Sequence, residues 1–332
     1  MKKNRIITGI VVVIALIIIL VISHPNKEPN KIILAESSLA VPSSLTFIAR
    51  EKGFWKEENL DIQVASFASG RLAFDAVLAG KADIATVAET PLVLAGFRKQ
   101  DFRIISTIME SDKEMKVIAR KDAGIANPSD LKGKKVATFL GSNAEYFMES
   151  FLSANGISRS EVKIINLQPP DMVIALAKKD IDAAFIWQPH ISNAQNQLGE
   201  QAIIFPNNGI YKEAFNIVST KEFAQKNQKV LKSVIKGLLK AEKFVQENRE
   251  ESIRIVARQV NIAPDELSKF WNEYEFKVGL SDSLIDLMNI EGEWAIKAKI
   301  APEGSTLPDY ASYILVEPLR ALNPERVMFK VL

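Results

Sequence analysis

Residues 31–35 (Lys-Ile-Ile-Leu-Ala) form a short apolar run, the pattern of a buried strand, and a polar turn, Glu36-Ser37-Ser38, follows it. Leu45, Phe47, Ile48 and Ala49 predict a helix that stops near Gly53. Leu60 to Val64 alternates as a strand. Ala68-Ser69-Gly70-Arg71 then opens a helix with Leu72, Ala73, Ala76, Val77 and Leu78 on one face. Gly80 ends that helix, and Ala82 to Ala85 predicts a short strand.

The same order recurs downstream. Lys134 to Leu140 reads as a strand and Gly141-Ser142-Asn143 as a loop. Ala144, Phe147, Met148, Phe151 and Leu152 follow at i, i+3, i+4, i+7 and i+8, a helix closed at Gly156 by a left-handed cap. Val162 to Leu167 is the next strand. A helix through Val173, Ala175, Leu176 and Ala177 leads to Ile181-Asp182-Ala183-Ala184-Phe185. Ala76-Val77-x-x-Gly80-x-Ala82-Asp83 aligns with Ala175-Leu176-x-x-Lys179-x-Ile181-Asp182 at a constant offset of 99. This duplication predicts an α/β protein of two lobes, each a mostly parallel sheet with helices on both faces, and a ligand cleft between them. Lys116 to Arg120 and Asn216 to Thr220 flank the second copy and read as the crossings between lobes. Residues 31–117 and 219–332 then make lobe 1, and 118–218 lobe 2. Residues 222–300 read as helices, and the tail from 301 as irregular with a short helix near Ala311–Leu315.

The charge balance narrows the partners. The chain has 332 residues with a formal net charge of +2, but Lys2, Lys3, Arg5 and Lys27 against Glu28 place +3 in residues 1–30. The remainder carries 38 basic and 39 acidic side chains. A near-neutral body argues against nucleic acid as a partner, which would need concentrated positive charge. No cysteine is present, which excludes disulfides, thiolate metal sites and cysteine nucleophiles. The two histidines, His24 and His190, are far apart, so no catalytic triad, metal site or cofactor is expected. Residues 6–23 are uncharged and mostly apolar behind a basic flank, so 1–30 reads as a signal peptide or membrane anchor plus linker. Cleaved signal and retained anchor both stay open; either carries the body to the extracytoplasmic face, periplasmic or tethered.

Ligands of parallel α/β sheets bind beyond the carboxyl ends of the strands. The loops expected there hold Ser37, Ser38, Ser69, Gly70, Arg71, Glu89, Thr90, Gly141, Ser142, Asn143 and Ala144, with Trp187 after the second copy. Hydroxyls and helix N-termini facing one space suit an oxyanion. Each residue also has a plainer reading: Ser142-x-x-Glu145 caps a helix unaided, Arg71 fits a solvated face, and Glu89 either binds an amine or accepts a structural hydrogen bond.

Arg50-Glu51-Lys52-Gly53-Phe54-Trp55-x-x-Glu58-Asn59-Leu60-Asp61 resembles a segment of the nitrate/sulfonate/taurine family of ABC-transporter substrate-binding proteins. So do Phe67-x-Ser69-Gly70, Leu78-x-Gly80-x-Ala82-Asp83-Ile84-Ala85, Asp130 to Ala137, Gly141-Ser142, Ile181-Asp182-Ala183-Ala184 and Trp187-x-Pro189, in order across residues 31–220. The resemblance implies a type II periplasmic-binding-protein fold and a non-enzymatic receptor. Such a receptor would be a monomer that closes on a small anionic organic solute and docks on the membrane permease of an ABC transporter. Glu89-Thr90-Pro91 is similar to a motif of aliphatic-sulfonate binders, which points to an aliphatic sulfonate or taurine, with nitrate next. The alternatives are a membrane-tethered ligand sensor and a binder of a thiamine-related pyrimidine. Asn59 and Lys179 stand where the family usually has glycine.

Overall fold

The structure is a computed structural model that describes residues 28–329. The apolar segment 6–23 therefore lies outside the described residues. No helix among the described residues is long and apolar enough to cross a membrane.

The strands are β1 (Asn30–Ser37), β2 (Leu60–Phe67), β3 (Ile84–Ala88), β4 (Phe102–Ser111), β5 (Lys116–Arg120) and β6 (Lys135–Thr138). They continue with β7 (Lys163–Asn166), β8 (Ala183–Ile186), β9 (Ala202–Phe205), β10 (Glu213–Thr220), β11 (Glu275–Ser281) and β12 (Val327–Met328). The helices that matter for the site and its support are α1 (Ser44–Glu51), α2 (Phe54–Glu57), α3 (Gly70–Leu78), α4 (Glu89–Phe97), α5 (Asn143–Ala154) and α6 (Pro169–Ala177). After them come α7 (His190–Leu198), α8 (Gln228–Glu247), α9 (Arg249–Val260), α10 (Pro264–Phe270) and α11 (Asp282–Lys297).

Two sheets result, ordered β12-β11-β4-β10-β3-β1-β2 and β7-β6-β8-β5-β9. The two-lobed α/β architecture is as expected, but the sheets are mixed rather than mostly parallel. β2-β1-β3 and β7-β6-β8 are parallel, whereas β10 lies antiparallel to both β3 and β4, and β5 to both β8 and β9. Connectivity accounts for this. A strand that enters a lobe from the cleft runs away from it, opposite to strands that end there. For the same reason Lys116–Arg120 and Asn216–Thr220 are not the crossings. Each is paired on both sides within a sheet, and the chain changes sheet at 112–115 and 206–212. β11 likewise interrupts the expected helical region, because its alternating burial suits an outer strand paired to β4.

Cores follow from these layers. Every residue of β3 and of β8 is buried, as in strands covered on both faces. Trp55 on α2 is buried, and its Nε1–H donates to the Val234 carbonyl of α8 at 3.0 Å. The helix can approach so closely because residue 237 is glycine: a Cβ there would lie 2.2 Å from Trp55 Cδ1. Phe147, Phe151 and Phe185 form the aromatic centre of the second lobe. Gly53, Gly80 and Gly156 take the left-handed conformation at the ends of their helices, and so do Asn59 (φ 58°) and Lys179 (φ 66°).

Candidate ligand cleft

β1, β2, β6 and β8 all end at the space between the lobes, and the segments after them line it. The void there is narrow, a cavity of about 20 Å³. It brings together Ser37, Ser69, Gly70 and Arg71 from the first lobe with Ser142, Asn143 and Trp187 from the second.

Two helix N-termini face this void. Ser69 caps α3, its Oγ accepting from the Leu72 N–H at 3.3 Å. Gly70 lets that helix end approach β3, since a Cβ would sit 3.0 Å from both the Thr86 carbonyl oxygen and Val87 Cα. Ser142 caps α5, accepting from the Ala144 N–H at 3.2 Å while donating to the Phe139 carbonyl at 2.7 Å. Glu145 reaches back to the Gly141 N–H at 2.7 Å, one residue before the partner a capping box would use. The Ser142 hydroxyl is thus committed both ways, whereas that of Ser69 caps as an acceptor and keeps its O–H to donate. What the helices offer an anion is their first N–H groups, which have no intrahelical acceptor, and the positive ends of their dipoles. Arg71 adds a positive charge, partly offset by Asp75 one turn along, Nε to Oδ2 3.8 Å. Its Nη1 donates to the Leu140 carbonyl of the other lobe at 2.6 Å, and its guanidinium lies 4.8 Å from the Phe139 ring centre. Ser37 is buried, and its Oγ has no partner among the described residues.

The other expected residues fall elsewhere. Ser38 lies just past the cleft-lining Ser37, and its N–H donates to the Phe67 carbonyl at 3.3 Å. Gly141 sits against the Arg71 guanidinium rather than on the void; a Cβ there would meet Arg71 at 3.4 Å. Ala144 is buried in the second-lobe core. Glu89 and Thr90 are fully buried behind the cleft. Glu89 accepts from the Tyr211 hydroxyl and from the Ala214 N–H at 2.8 Å, so of its two readings the structure holds the hydrogen-bond acceptor. Burial raises the Glu89 carboxyl pKa, and it raises its neighbour Glu291 further, with repulsion from Glu89 adding to it. His190 is also buried behind the wall, edge-on to Trp187 with ring centres 6.1 Å apart.

Sequence reasoning missed two acids on the void, Glu114 and Glu213. Glu213 opens β10 and is register partner of Ser111, the last residue of β4. Glu114 is drawn back to the same point, its N–H donating to Ser111 Oγ at 3.1 Å. The two crossings therefore bring the carboxyls side by side. Both are almost completely buried. Burial first, and then repulsion from neighbouring acids, raises both pKa values. Two carboxyls in contact share a hydrogen bond only when one keeps a proton. Among the described residues no cluster could hold a metal ion.

Fold and cleft together define a two-lobed solute-binding protein. The sequence profile of the NMT1/THI5-like family matches residues 43–252, and the chain belongs to that family. A putative binding protein of Brucella abortus is 30% identical over 226 residues, covering 66% of this chain and 68% of the relative. A putative aliphatic sulfonates-binding protein of Bacillus subtilis is 26% identical over 255 residues, covering 74% and 76%. The alkanesulfonate-binding protein of Xanthomonas axonopodis pv. citri, solved with MOPS bound, superposes with a TM-score of 0.77. It is 18% identical and covers 87% of this chain and 99% of that one. These three relatives are named as binding proteins, and this chain is a binding protein of the same family.

Proposed function

We propose that the protein is the extracytoplasmic receptor of an ABC importer. It captures a small organic anion, an aliphatic sulfonate or taurine before nitrate, and delivers it to a membrane permease. The observation that carries this reading is the meeting of two helix N-termini, one from each lobe, at one void beside Arg71. A sulfonate placed there would accept hydrogen bonds from both lobes at once. Its binding would then favour the closed arrangement over the open one, as a hinge-closing receptor requires. The names of the Bacillus and Xanthomonas relatives support the same ligand class.

Titration calorimetry with ethanesulfonate, propanesulfonate, taurine, nitrate and an aminopyrimidine tests it. The expected result is saturable binding of sulfonates with micromolar or lower Kd. Binding of the aminopyrimidine alone would move the assignment to the pyrimidine class, and no binding by any anion would overturn it.

A further inference from the structure

An anion receptor has no evident use for two buried acids on its ligand void. Glu114 and Glu213 line the same space as Arg71 and the two helix ends. Glu114 is 1% exposed and Glu213 2%, and neither Glu114 oxygen nor Glu213 Oε2 meets a fixed donor elsewhere among the described residues. Lys116, whose charge acts on Glu114, is already paired with Glu273 at 2.7 Å. Asn143 donates to Glu213. Tyr274 is close to both acids, and its hydroxyl is also buried without a partner. Glu89, Glu291 and Tyr211 stand behind and supply no positive charge. A further unsatisfied group, Ser37 Oγ, opens on the same void. Buried carboxyls left unpaired are costly, and a ligand that brings N–H donors removes that cost.

We propose that the Glu114–Glu213 pair is the cation-binding half of the solute site, so that the captured solute is a small zwitterion, its anionic head on the helix ends and Arg71 and its ammonium on the two carboxyls. This rests on the anion-receptor reading and narrows it to amino-substituted acids. The ammonium takes the place of the protons that the buried carboxyls hold. The solute arrives as R–NH₃⁺, the carboxyls receive it as carboxylates, and each proton they held passes to the buffer.

The test compares 3-aminopropanesulfonate with propanesulfonate by calorimetry at pH 7, in two buffers of different ionisation enthalpy. The expected result is at least tenfold tighter binding of the aminated compound, with protons released to the buffer as it binds, and no such release with propanesulfonate. Glu213→Gln and Glu114→Gln, close in shape but unable to carry the charge, are expected to bring the affinity ratio of the two compounds toward one. Propanesulfonate binding as tightly as its aminated partner would overturn the proposal while leaving the anion-receptor reading intact. If neither compound bound, and no other anion did, both would fall. The comparison on the unmodified protein decides the matter even if the glutamine variants do not fold.

Discussion

Arg71 and Leu140 join the two lobes: Arg71, which lines the ligand void, donates from Nη1 to the Leu140 carbonyl at 2.6 Å. The same guanidinium packs on Phe139 and lies 3.8 Å from Asp75 through Nε, which leaves its Nη2 group for an anion. One side chain thus couples closure to charge recognition. A hydrogen bond from a charged donor is worth ~1.5–3 kcal/mol. Arg71→Met should therefore weaken sulfonate binding at least tenfold and enlarge the ligand-free protein in small-angle scattering. An unchanged radius of gyration together with unchanged affinity would remove Arg71 from both roles.

Trp55 and Gly237 make a second tight pairing, far from the ligand. The indole occupies the place a side chain at 237 would take, so Gly237→Ala must push α8 away from α2 or break the bond to Val234. Overpacking of this kind costs ~1–3 kcal/mol. Chemical denaturation should show a loss in that range with an unaltered ligand affinity, because neither residue lines the void. Full stability in the alanine variant would mean that the two helices are not held at this distance.

Much of the cleft was legible because helix starts are written locally. Ser69-Gly70 and Ser142-Asn143 announce N-caps in four or five residues, and the strand before each fixes where the cap points. Glu114 and Glu213 announce nothing. They sit among charged neighbours, Ser111-Asp112-Lys113-Glu114 and Lys212-Glu213, which read as solvated loop. Only the β4–β10 register, a pairing of residues about a hundred positions apart, brings them together. Glu89 misled in the opposite sense. It precedes a Thr-Pro that opens a helix, yet the chain from 207 to 214 closes over it with Tyr211 and Ala214. The strands β4 and β11 went unread because their partners are each other and two strands distant in sequence, β10 for β4 and β12 for β11.

Asn59 and Lys179 depart from the glycines that the family pattern expects, yet both keep positive φ. A left-handed L-residue costs ~1–2 kcal/mol, and asparagine bears it more easily than lysine. Lys179→Gly should therefore raise Tm by more than Asn59→Gly does, even though it removes the exposed contact from Lys179 to Asp122 at 2.7 Å. Differential scanning calorimetry of the two variants checks the order. A fall in Tm for Lys179→Gly would show that the contact, with the greater freedom glycine gives the unfolded chain, outweighs the backbone strain.

His190 sets a window of acid sensitivity. Burial pushes its pKa down to about 4 in the folded protein, and Nε2 finds no partner among the described residues. An unfolded chain returns it to about 6.5. Between these values the unfolded state binds a proton that the folded state refuses, so stability falls as pH drops from 6.5 to 4 and changes no further below that on this account. The full effect approaches ~3 kcal/mol at 1.36 kcal/mol per pKa unit. The raised carboxyls Glu89, Glu114, Glu213 and Glu291 act in the other direction: their folded forms take up protons first, and acidification relieves them. The wild-type profile mixes both trends, so the quantity to read is its difference from His190→Phe, which keeps a ring against Trp187 but cannot titrate. Denaturation at pH 7, 5.5 and 4 should show the wild type losing ground to the variant steadily across that range. A constant difference would mean that His190 is protonated alike in both states, which is incompatible with the buried ring and unpartnered Nε2 seen behind the cleft wall.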